Sequence, residues 1–86
     1  MTFAKWVKII LKNPVIKDKK ETDELIYTIG ESFDENLGKI QQIHINGDQI
    51  LISCNSLKNN ENVSVGIPLN SNVLKYYYGK NSMKIS

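Results

Sequence analysis

The chain has 86 residues, of which 41% are hydrophobic and 23% charged, which is one small domain able to bury a core and too apolar for disorder along its whole length. Its net charge of +2 comes from eleven lysines against nine acids with no arginine, which removes the planar fork used for specific phosphate and guanine recognition. A single cysteine, Cys54, excludes an intramolecular disulfide and any multi-cysteine zinc site.

The segment Phe3 to Lys12 places Phe3, Ala4, Trp6, Val7, Ile10 and Leu11 on one side of a helical wheel and Lys5, Lys8 and Lys12 on the other. It predicts an amphipathic N-terminal helix with a buried Trp6–Ile10 side, capped by Thr2 and ended by Pro14. A strand with Val7, Ile9 and Leu11 on one face competes with it. The apolar run, interrupted by Lys8, is too short for a secretory signal or a membrane span, and a reducing, cytoplasmic setting is expected. The sequon Asn62-Val63-Ser64 then carries no glycan.

Lys17 to Glu24 is charged at every position but Thr22 and reads as a solvated connection over 14–24. From Leu25 the periodicity changes to two, with Leu25, Tyr27 and Ile29 on one face, followed by a turn region. Glu31, Asp34 and Glu35 lack the ligand alternation of a calcium loop and read as a solvated turn.

Asn46-Gly47 predicts a two-residue hairpin turn that sets Ile43 opposite Ile50 and gathers Ile43, Ile45, Ile50 and Ile52 on the core face. His44, the single histidine, then lies on the other face beside Gln42 and Gln49, where no further metal ligands converge. Ile40 is out of phase with Ile43, which predicts a bulge near Gln41-Gln42. Cys54 continues the parity of Ile50 and Ile52 and is expected to be buried and inert.

Val63, Val65, Ile67 and Leu69 alternate along the next strand, whose Pro68 requires an edge or a bulge. A tyrosine run follows, Tyr76-Tyr77-Tyr78, and a last strand with Met83 and Ile85. Alternation sends Tyr76 and Tyr78 to one side and Tyr77 to the other, so at least one ring is expected in an exposed patch with Lys75 and Lys80.

The order of Leu37-Gly38, the hairpin, Ile67-Pro68, a short turn and Met83-Lys84-Ile85 resembles the PRC-barrel family over residues 25–86. That resemblance implies a small β-barrel that docks on larger assemblies, with no shared catalytic residues. The turn before Leu37-Gly38 lacks the family's glycine, and an N-terminal helix has no counterpart in it.

The expectation is one α+β, mostly β domain over 1–86, with a helix over 1–13 and an antiparallel barrel or meander over 25–86. The sequence supports no nucleophile–base pair, no carboxylate pair in an evident pocket and no cofactor fingerprint, so the expected function is a non-enzymatic adaptor or accessory subunit of a larger complex. Its candidate binding residues are Trp6, Lys75, Tyr76, Tyr77, Tyr78 and Lys80. The alternative is an accessory nucleic-acid-binding subunit that uses lysines and tyrosines without sequence specificity.

Overall fold

The computed structural model describes residues 2–34 and 36–81. The expected last strand with Met83 and Ile85, and Glu35 of the acidic turn, lie outside the described residues. Seven strands follow one another: β1 (Thr2–Ala4), β2 (Trp6–Lys17), β3 (Lys20–Thr28), β4 (Leu37–Asn46), β5 (Gln49–Ser56), β6 (Asn62–Pro68) and β7 (Val73–Gly79). They form two antiparallel sheets, ordered β1-β4-β5-β6 and β3-β2-β7.

The fold is therefore all-β, and the expected N-terminal helix is replaced by two strands that turn from one sheet into the other at Lys5. The Lys5 N–H donates to the Gly79 carbonyl at 2.7 Å and its carbonyl accepts the Ile29 N–H at 3.0 Å, so the ladder continues through the bend. Val7, Ile9 and Leu11 are buried, which is the competing strand parity. The helical reading failed because β2 is a central strand with apolar residues on both faces. Trp6 and Ile10 on its outer face, added to Val7 and Leu11 on its inner face, imitate a helical stripe. The Trp6–Ile10 side is the half-exposed one, opposite to expectation.

The charged segment is also ordered. Lys17 pairs with Lys20 across a two-residue loop whose Asp18 and Lys19 have φ of 51° and 67°, the signs of a type I′ turn. Charge is tolerated there because β3 is an edge strand on which Lys20, Glu21, Asp23 and Glu24 are all exposed. The β2–β3 register shifts between Ile10 and Val15, an interval that contains Pro14, which cannot donate a ladder bond.

The β4–β5 hairpin has the expected core set, with Ile43, Ile45, Ile50 and Ile52 all buried, but a different turn. Asn46 pairs with Gln49, so the loop is Gly47-Asp48, and Ile43 faces Ile52 rather than Ile50. Gly47 has φ of 48° while Asp48 does not enter the positive-φ region, the φ pattern of a type II′ turn with glycine first. Moving a two-residue loop by one position shifts pairing by two residues, so every side chain keeps its face. The bulge expected near Gln41-Gln42 is present as a register shift between Ile40 and Gln42.

The core lies between the sheets and is built from Val7, Ile9, Leu25, Tyr27, Phe33, Ile40, the four hairpin isoleucines and Cys54, among others. Tyr27 and Phe33 stack with centroids 4.7 Å apart, and Lys17 Nζ lies 4.3 Å from the Tyr27 ring centroid. Burial, and then the carboxylates of Asp34 and Asp18, push the Tyr27 phenol up to about 12. Among the described residues no ladder joins β6 to β7, so the sheets do not close into the expected barrel.

Candidate interaction face

The outer face of β3-β2-β7 is organised by register into three cross-strand rows. Thr28, Trp6 and Gly79 form the first, Ile26, Lys8 and Tyr77 the second, and Glu24, Ile10 and Lys75 the third. Each row runs across all three strands, and pairs directly opposite on one face are the contacting pairs of a sheet.

In the first row the indole of Trp6 lies over Gly79. A Cβ built on Gly79 would meet the indole Nε1 and stand 2.6 Å from Cε2 and 2.9 Å from Cζ2, so the ring occupies the space that glycine leaves. In the second row Ile26 is 42% and Tyr77 47% exposed, on either side of Lys8. The Lys8 ammonium is drawn to the Glu24 carboxylate at 3.3 Å, which partly neutralises the centre of the face. Lys75 Nζ stands 5.6 Å from the Tyr77 ring centroid, within cation–π range.

Three of the six residues singled out in the sequence, Trp6, Lys75 and Tyr77, thus share one face. The other three lie elsewhere. Tyr76 and Tyr78 pair with Ile9 and Val7 and point to the core side, their rings stacked with centroids 6.3 Å apart. Tyr76 packs against the core, whereas Tyr78 is 42% exposed at its margin. Lys80 lines a groove of about 540 Å³ with Phe3, Lys5, Ile29, Gln41 and Gln42. The groove's charged lining residues are both lysines, so no acid–base pair is formed there.

Ile10 and Ile26 are members of the face that the sequence reading missed. In the sequence Ile10 fits the stripe of an amphipathic helix, and Ile26 falls outside the face of Leu25, Tyr27 and Ile29. The detectable signal was that both outward positions of adjacent segments are apolar, where a solvated sheet face carries polar residues.

His44 pairs with Phe3 and Leu51 rather than Gln49. Its ring meets Phe3 edge-on with centroids 4.1 Å apart, and its buried Nε2 has no hydrogen-bond partner among the described residues. The described residues contain no group of three potential metal ligands. Asp34 shapes the acidic turn: its Oδ1 accepts the N–H groups of Asn36 and Leu37, both at 2.8 Å. Cys54 is fully buried, its thiol directed at the Val63 carbonyl at 3.7 Å, and burial followed by the Asp34 charge raises its pKa. Among the described residues no helix is long and apolar enough to cross a membrane.

Comparisons with protein-family models, with curated proteins and with solved structures return no match, and nothing in them identifies a PRC-barrel.

Proposed function

We propose that this domain is a non-enzymatic protein-binding module, a small adaptor or accessory subunit, and that it docks through the outer face of β3-β2-β7. The observation that supports this reading is the set of Trp6, Ile10, Ile26 and Tyr77 held on one sheet face by uninterrupted pairing from Trp6 to Ile10. Aromatic and aliphatic side chains on a regular sheet bind with little loss of conformational freedom, and tyrosine and tryptophan are the residue types that most often anchor interfaces. Lys75, exposed beside Tyr77, favours a partner surface with a carboxylate next to its apolar patch.

The nucleic-acid reading is less well supported. Lys8 is paired with Glu24, which leaves Lys75 as the one cation of these nine positions without an acid beside it, too little to track a phosphate backbone.

Affinity purification of the tagged chain from its native cells, followed by reconstitution with the purified partner, tests the proposal. Tyr77→Ala is expected to weaken that partner's binding by about 1–3 kcal/mol with the fold intact, and Phe3→Ser on the opposite sheet to leave it unchanged. A partner whose affinity ignores both Tyr77 and Ile26 overturns the assignment. Binding of a single-stranded oligonucleotide that quenches Trp6 fluorescence and falls steeply with salt favours the nucleic-acid reading instead.

A further inference from the structure

Among the described residues the two sheets have four edge strands, β1, β6, β3 and β7, and three of them are blunted. β1 has three residues, β3 carries Lys20, Glu21, Asp23 and Glu24, and β7 is broken by a register shift between Lys75 and Val73. β6 differs. It pairs with β5 over seven consecutive positions without a bulge, and Asn62 to Pro68 contains no charged residue.

Its backbone polarity can be read from the bonds at its two ends. The Glu61 carbonyl accepts the Ser56 N–H at 2.8 Å and the Leu69 N–H donates to the Asp48 carbonyl at 2.9 Å, so the odd-numbered residues bond toward β5. By alternation, the N–H and C=O groups of Asn62, Ser64 and Gly66 are directed away from β5, at the open edge. Pro68, the even-numbered residue that cannot donate, stands at the strand's last position. Val63, Val65 and Ile67 on the inner side are only half-buried, so the strand's apolar face is also incompletely covered.

We infer that β6 is a self-association edge, and that two copies of this chain pair antiparallel through it about a two-fold axis at Ser64. In that register Ser64 faces its own copy, Asn62 faces Gly66, and Val63 faces Val65, while Pro68 falls outside the paired segment. The pairing joins two four-stranded sheets into one of eight strands and is isologous. Self-pairing sets residues of one short segment against each other, where any charge would meet like charge nearby. The absence of charge from β6, against its presence in β3 and β7, is what favours a second copy as the occupant.

Sedimentation equilibrium of the full chain across a wide concentration range tests this, together with amide exchange resolved by residue. The wild type is expected to dimerise reversibly, with the Ser64 and Gly66 amides protected only in the dimer and the Val63, Val65 and Ile67 amides protected throughout. Ser64→Pro removes an N–H that serves no bond to β5, so it is expected to raise the dimer dissociation constant about tenfold to a hundredfold while retaining the monomer's β-sheet circular dichroism. Ser64→Lys, which sets like charges across the axis, supplies a second variant should the proline perturb folding. A wild-type chain that stays monomeric at the highest concentration overturns the inference, as expected if the edge takes another protein's strand. Protection of Ser64 and Gly66 in the dilute monomer, or a dimer indifferent to Ser64→Lys, overturns it equally.

Discussion

Replacing Gly79 by alanine tests the packing that gives the candidate face its shape. The added methyl falls 2.6 Å from Cε2 and 2.9 Å from Cζ2 of Trp6, less than van der Waals separation, so the indole must lift from the strand. A half-buried tryptophan covers roughly 100 Å² of apolar surface, worth about 2.5 kcal/mol at 25 cal/mol per Å². Losing around half of that contact destabilises the domain by about 1–2 kcal/mol and lowers Tm by roughly 5–15 °C for a chain of this size. Trp6 is the single tryptophan, so its emission reports the event directly and should shift to longer wavelength in the variant. The decisive control is Gly79→Ala in a Trp6→Ala background. There the methyl meets no ring, and alanine's greater stiffness in a strand makes the second substitution neutral or slightly stabilising. Equal destabilisation in both backgrounds, or unchanged emission in the single variant, refutes the indole-over-glycine arrangement.

Three further outcomes follow from the same fold. Tyr27 is pushed up to about 12 in the fold, so stability should be flat below pH 10, where folded and unfolded phenols are both protonated, and decline by about 2 kcal/mol at most between pH 10 and 12 as only the unfolded phenol ionises. Denaturant unfolding across that window, compared with Tyr27→Phe, checks it; a variant with the same alkaline decline places the effect elsewhere. Lys19→Gly should stabilise the β2–β3 hairpin by about 0.5–1 kcal/mol, because Lys19 holds a φ of 67° that glycine adopts without strain, and a lowered Tm would count against the type I′ loop. The Cys54 thiol, fully buried with its pKa raised first by burial, should react with a thiol reagent only at the rate of global or local opening, and rapid labelling of the native chain would show that the β5–β6 layer is open.

Parity was the property most fully written in the sequence, because a strand's two faces alternate whatever partner it finds. That is why Ile43, Ile45, Ile50, Ile52 and Cys54 were assigned to the core correctly although the turn between them was placed one residue early. The bulge beside Gln41 and the opposite directions of Tyr77 and its neighbours were legible for the same reason. Neighbours in space were not legible. Whether Phe3 to Leu11 coils or extends depends on β3 and β7 lying on both sides of β2 to take its backbone bonds, and local periodicity cannot see them. The charged stretch from Lys17 to Glu24 similarly looked like a solvated loop until pairing with β2 gave its backbone a ladder. The candidate face belongs to the same category: Trp6, Ile26 and Tyr77 are far apart in the chain, and only the register of three strands sets them side by side. A sequence fixes which way each strand's side chains point relative to one another, whereas the long-range hydrogen bonds between strands decide which of those side chains meet.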